Sequence, residues 1–331
     1  MRMIIENVAF PSGQHCETTA IGALLRHEGI ELSEPMLFGL GEGLGFVYWD
    51  AKNMDFPFLG GRSKPMRITR TVAERLGLDL RVQETGSPRK AWQNVTDALA
   101  AGRPVGLQLD CYHLEYFTSK VHFGGHFVAM HGHDDDRAHL IDTAQQGGSV
   151  TTSLASLELA RNERGPMTAR NLSFTLSAAG PRPSLRSAVL ESVRANALDF
   201  LNPPIANLGH RGIGKAARQV LRWLDRSAAP SRDLPLAATL MERGGTGGAL
   251  FRAMYRDFLA ESASLVDDDT LRAGHHLYAE IAPLWTEVSE HIAAAGSSGD
   301  ASHLAHASEI LTDLASREHH AMQVLSTVRA A

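Results

Sequence analysis

Strand-like patterning stops near residue 178 of this 331-residue chain, and everything after it is patterned for helices. Before that point, apolar runs at 105–109, 127–131, 139–142 and 172–176 are bounded by Gly, Asp and Pro clusters, the mark of strands. Helical stripes at 17–27, 67–76 and 87–101 precede them, and Pro88 suits the first turn of the last. Helices first and strands later predict an α+β fold and argue against a doubly wound sheet. Residues 176–185 read LSAAGPRPSL, and Pro181 and Pro183 make this an extended linker. Past it, 185–201, 214–226, 247–265, 270–295 and 302–328 read as helices, with a kink expected at Pro283. The short GSSGD segment predicts an antiparallel pairing of the last two helices. The reading is therefore two domains, 1–178 (α+β) and 185–331 (all-α).

Composition removes several classes of function. The net charge of −5 lacks the basic footprint of a nucleic-acid binder. No run of about 18 apolar residues is long enough to cross a membrane. Glu6 interrupts the apolar start, so no secretion signal is expected and the location predicted is cytoplasmic. Two cysteines, Cys16 and Cys111, are too few for a disulfide framework and read as core or reactive thiols.

Cys16 follows a loop that includes Pro11, Ser12 and Gly13, and stands at the start of the helix predicted from Glu17. Unpaired amides and the positive dipole end of a helix stabilise a thiolate, the nucleophilic form. A small buried hydrophobe is the alternative. Cys111, after a strand in LQLDCYHL, has no such helix terminus. Residues 124–144, GGHFVAMHGHDDDRAHLIDTA, read as a strand beginning at His126, a turn through Asp134, Asp135 and Asp136, and a strand ending at Asp142. Neighbouring antiparallel strands bring a base and its orienting carboxylate to one sheet edge, as nucleophilic catalysis requires.

This order of Cys, His and Asp resembles papain-like cysteine enzymes of the bacteriocin-leader-peptidase type. HCETTAIGALLRHEGIELSEPMLFGLGEGLGF (15–46) and GRPVGLQLDCYHLEY (102–116) resemble more closely the N-terminal domain of the butirosin biosynthesis protein BtrH family, over about residues 10–178. The helical half, with GGTGGALFRAMYRDFL (244–259), resembles the uncharacterised domain that often follows. The resemblance implies a papain-like α+β fold and acyl transfer from an acyl-carrier-protein or other thioester donor to a small-molecule acceptor. Cys16 would be the nucleophile, His126 the base and Asp142 the orienter. It implies no cofactor. Papain-like enzymes usually carry an oxyanion-hole glutamine about six residues before the cysteine, where this chain has Phe10; Gln14 and the Cys16 amide are the substitutes.

Other features carry two readings each. The Gly39–Phe46 glycines, Gly43 among them, suit a mobile loop with Phe46, Tyr48 and Trp49 lining an acceptor pocket, or a connection whose aromatics are core. Asp110, Tyr112 and Tyr116 either bind the acceptor or form a hydrogen-bond network. His122, His126, His131 and His133 with the aspartate turn suit a metal site less well than a solvated turn. Asp267, Asp268 and Asp269 suit a helix start. The RGGTGGALF glycines (243–251) either present amides to a phosphate or permit a tight turn. Phe251, Phe258 and Trp285 motivate a homodimer or a lid over the Cys16 cleft. The functions left open are an acyltransferase, a hydrolase using water on the same triad, and a silent binding protein.

Overall fold

Short segments, most of them apolar-rich, form β1 (Met3–Ile4), β2 (Leu44–Trp49), β3 (Phe58–Arg62), β4 (Leu78–Gln83), β5 (Val105–Leu109), β6 (His126–His133), β7 (Arg137–Ile141), β8 (Ser149–Ser153) and β9 (Ser173–Ala178). The helices are α1 (Cys16–His27), α2 (Glu34–Leu40), α3 (Arg67–Arg75), α4 (Pro88–Ala100), α5 (Leu154–Asn162), α6 (Leu185–Leu201), α7 (Gly209–Val220), α8 (Trp223–Arg226), α9 (Pro230–Arg243), α10 (Arg252–Val266), α11 (Asp269–Ser298) and α12 (Ala301–Leu325). These come from a computed structural model that describes residues 3–6, 8–10, 13–51, 54–165, 167–178 and 180–329. Pro11 and Ser12, expected as loop, lie outside the described residues.

The chain forms two compact units, Met1–Leu37 with Ile68–Pro183, and Phe38–Arg67 with Ser184–Ala331. The break at Pro183 falls in the expected linker, but the first domain is not the contiguous 1–178 stretch expected. Residues 38–67 are built into the helical unit by specific contacts. Phe38 stacks on Phe251 at 5.3 Å, and Phe46 packs on Trp285 at 5.5 Å. Ser192 Oγ donates to the Leu40 carbonyl and Asn196 Nδ2 to that of Leu44. The helical unit thus contains the β2–β3 hairpin, where helices alone were expected.

In the first unit one sheet runs β4-β9-β5-β6-β7-β8, with β1 beside β6 and every pairing antiparallel. Val95, Leu99, Leu107, Leu109, Val128, Met130, Leu140 and Leu157 are each at most 2% exposed and pack α4 and α5 onto it. Burial of each such side chain contributes about 1.5–3 kcal/mol. Helix α1 is buried all round from Cys16 to Leu25, where only a stripe was expected. Ser87 caps α4, its hydroxyl accepting the Lys90 amide, and Pro88 stands in its first turn.

In the second unit, α11 and α12 are joined through Gly299, whose φ of 74° ends α11, and Asp300, which caps α12. Pro283 lies within α11. Asp268 caps α11 by accepting the Leu271 amide at 3.0 Å, as the acidic run implied. Phe251, Phe258 and Trp285, the side chains that motivated a dimer or a lid, are buried in the unit's own core at 5%, 0% and 0% exposed. Beside them Arg252, fully buried, forks onto Glu318, whose Oε1 also accepts the Trp285 indole N–H. Helix α10 starts at Arg252, not at 247, because Ala249, Leu250 and Phe251 all have φ between 49° and 74°. The Ala249 amide points at the Glu242 carboxylate, 3.2 Å from both oxygens, so an acid occupies the place anticipated for a phosphate.

Candidate active site

The site is assembled at the start of α1 and the adjoining ends of β6 and β7, all in the first unit. Cys16 is the first residue of α1, and His15 caps that helix by accepting the Thr18 amide on Nδ1 at 3.4 Å. The turn before Cys16 is held by Glu34, whose carboxylate accepts the Gln14 amide (2.8 and 3.0 Å), the His15 amide (2.8 Å) and the Thr18 hydroxyl (2.7 Å). Burial pushes the Glu34 carboxyl above the usual range, against the lowering pull of these donors. Next to Cys16, fully buried Glu17 accepts the Thr69 amide (3.0 Å) and hydroxyl (2.9 Å), tying α1 to the first turn of α3. The cysteine is therefore fixed from both sides by buried carboxylates.

His126 opens β6, and Asp142 directly follows β7. Ala129 pairs with Ile141. One further step of that ladder sets Asp142 opposite Val128, diagonal to His126 on the same face, within reach of a long side chain. Nε2 of His126 lies 2.8 Å from Asp142 Oδ2. Burial alone would lower the His126 pKa, but the charge and hydrogen bond of Asp142, with the hydrogen bond and charge of Cys16, outweigh it and raise it well above the ordinary value. With Nε2 on Asp142, Nδ1 is the ring nitrogen left for Cys16. The imidazolium so favoured is the counter-ion a thiolate needs.

Asp142 is fully buried, and its remaining capacity is filled by the Thr143 amide on Oδ1 (2.6 Å) and the Tyr116 hydroxyl on Oδ2 (2.8 Å). Tyr116 thus belongs to the hydrogen-bond network. Phe117 sets its ring edge-on to His126 at 5.1 Å. Sequence reasoning missed Phe117, Glu17 and Glu34. A carboxylate directly after a helix-opening cysteine was the available signal for Glu17; Glu34 has none, because 18 residues separate it from Cys16.

The other candidates disperse. Gln14 is exposed and its amide is taken up by Glu34. Phe10 is buried against α1, where a Cβ at Gly22 would meet its ring at 2.5 Å, so that position has no polar donor. Gly43, Phe46 and Tyr48 belong to the second unit; the expected mobile loop is strand β2 and its approach, in which Phe46 and Tyr48 are core at 2% and 1% exposed while Trp49 is 49% exposed and is not. Asp110 is buried, accepts the Tyr112 amide at 2.9 Å, and lies 3.4 Å from His122 Nδ1. Tyr112 stacks on His122 with centroids 4.0 Å apart. Burial raises the Cys111 thiol, and Cys111 Sγ donates to the Val121 carbonyl at 3.5 Å.

The His-rich turn does not collect into the metal site weighed above. His131 Nδ1 meets the Ile5 carbonyl, His133 Nδ1 meets the Asp134 carbonyl, and Asp134 Oδ1 accepts the Asp136 and Arg137 amides to close the turn. Among the described residues no helix is long and apolar enough to cross a membrane.

The family model described as butirosin biosynthesis protein H, N-terminal, matches residues 15–143, which include Cys16, His126 and Asp142. The model of a domain of unknown function, DUF4872, matches residues 155–325, more than half of the chain. A crystal structure described as that of a C39-like peptidase from Bacillus anthracis is 14% identical, covers 55% of this chain and 100% of its own, and has a TM-score of 0.39, too distant a likeness to build on. No curated protein matches. A helix-borne cysteine facing a strand-borne histidine and aspartate is a papain-like arrangement, and the chain belongs to the DUF4872 family, its residues 15–143 being similar to the butirosin biosynthesis protein H N-terminal model.

Proposed function

We propose that the protein is a cysteine-dependent acyltransferase acting in a cytoplasmic biosynthetic pathway. It takes an acyl or aminoacyl group from a carrier-protein thioester and passes it to an amine or hydroxyl of a small acceptor. The observation that carries the reading is His126 held between Asp142 and Cys16 with its pKa well raised. The Cys16 thiolate attacks the thioester carbonyl, the tetrahedral intermediate expels the carrier thiol, and His126 gives that thiol its proton. The acceptor then attacks the acyl-Cys16 carbonyl, His126 removes its proton, and Cys16 leaves as thiolate. Amides at the start of α1 are the donors available for the developing oxyanion, since Phe10 has none to offer. The match to the butirosin biosynthesis protein H N-terminal model supports transfer over hydrolysis.

The test is acylation by an acyl-carrier-protein thioester, followed by intact mass. Wild type and Cys111→Ala should gain one acyl group, and Cys16→Ala none. Addition of amine acceptors should discharge the acyl-enzyme faster than water does. Acylation that persists in Cys16→Ala removes the catalytic reading; discharge to free acid at a rate no acceptor changes replaces transferase by hydrolase.

A further inference from the structure

Outside the triad, His113, His122 and Glu163 bring one ligand atom each to within 4.8 Å of one another. They come from three places in the first unit: His113 from the short 3-10 turn Cys111–His113, His122 from the approach to β6, and Glu163 from the end of α5. His113 Nε2 lies 2.5 Å from Glu163 Oε2. Two imidazoles and a carboxylate are a borderline-soft donor set suited to zinc. Tetrahedral ligands about 2.0–2.1 Å from zinc stand roughly 3.3 Å apart, so the cluster needs only small side-chain adjustments to close on an ion.

The surroundings supply what a bare cluster lacks. Asp110 is 5% exposed and sits 3.4 Å from His122 Nδ1, a buried carboxylate behind a ligand imidazole that fixes its tautomer and orientation. Tyr112 stacks flat on the His122 ring, 12° from parallel, and meets the His113 ring edge-on at 5.2 Å, setting both planes. His122, Glu163 and Asp110 line a cavity of about 430 Å³ with Phe123, Gly124 and Met167, which leaves room for a water as fourth ligand.

We propose that His113, His122 and Glu163 bind one zinc-class divalent ion, with Asp110 as the positioning residue of His122. The ion fastens both ends of the 113–122 segment to the end of α5. That segment carries Tyr116 and Phe117, which hold Asp142 and flank His126. The proposal does not depend on acyl transfer.

The experiment uses the full chain with Cys16→Ala, so that the nucleophile cannot take the metal, stripped with chelator and titrated with Zn²⁺ or Co²⁺ alone. One equivalent should bind, Co²⁺ should give a tetrahedral visible spectrum, and the melting temperature should rise on loading. Glu163→Gln and His122→Gln should each weaken binding at least tenfold. The His122 side chain is 56% exposed, so its replacement leaves the fold intact. Absence of stoichiometric binding, or equal affinity in both variants, overturns the proposal; the latter places the ion elsewhere, as at the paired His291 and His303 of the second unit, whose Nδ1 atoms face each other at 3.2 Å.

Discussion

Asp142→Asn separates orientation from nucleophilicity at this site. Asp142 accepts on both oxygens: Oδ1 from the Thr143 amide at 2.6 Å, and Oδ2 from His126 Nε2 and the Tyr116 hydroxyl at 2.8 Å each. An amide keeps one acceptor and gains one donor. If its NH₂ faces His126, Nε2 must accept, the proton moves to Nδ1, and the ring can no longer take a proton from Cys16. If its NH₂ faces the Thr143 amide, two donors meet at 2.6 Å in a fully buried place. Either way the charge that raises His126 is gone. Loss of an orienting triad carboxylate costs roughly 10⁴-fold in rate, or about 5.4 kcal/mol at 1.36 kcal/mol per tenfold. Stability should change sign in its pH dependence. In the wild type the raised His126 stabilises the fold fully below its unfolded value of about 6.5, and that contribution fades as pH rises through the higher folded pKa. In the variant burial, the largest cause, is opposed only by Cys16 and lowers the pKa, so the His126 contribution is present above about 6.5 and lost as pH falls below it. Single-turnover acylation of Cys16 and denaturant unfolding between pH 5 and pH 9 measure both effects. A variant within tenfold of wild-type acylation, with an unchanged pH dependence of stability, refutes the reasoning.

Tyr116→Phe should cost about 1.5–3 kcal/mol in denaturant unfolding, the range for a hydrogen bond to a charged group, while slowing acylation far less than Asp142→Asn does. Because the Tyr116 hydroxyl draws on the charge of Asp142, its loss should also move the alkaline limb of the rate profile upward; an unmoved limb limits Tyr116 to packing. Gly39→Ala should destabilise the second unit by about 1–3 kcal/mol, since a Cβ there meets the buried Phe258 ring at 2.1–2.3 Å, and unfolding unchanged within 0.5 kcal/mol rejects the close approach.

The sequence by itself determined most of the chemistry-bearing local structure. Cys16 opens a helix, His126 opens a strand and Asp142 follows the next one, because caps, glycines and strand-length apolar runs act within a few residues. The nearness of His126 to Asp142 was legible only as two neighbouring strand ends: the turn register alone would set Asp142 opposite Ala129, and the irregularity between Met130 and Gly132 moves it opposite Val128, onto the face of His126. Long-range choices were not. Residues 38–67 read as a glycine-rich continuation of the first domain, yet Phe38 and Phe46 find Phe251 and Trp285 more than 200 residues away. Apolar burial is non-directional and indifferent to sequence distance, so the pattern marks a residue as core without saying whose core. The same holds for Phe258 and Trp285, which looked surplus only because residues 38–67 were placed in the first domain. Glu17 and Glu34 make the point for polar groups: each carboxylate reads as an ordinary surface residue until the fold supplies its partner, and for Tyr116 only the fold chose between acceptor binding and a hydrogen-bond network, by burying its hydroxyl on Asp142.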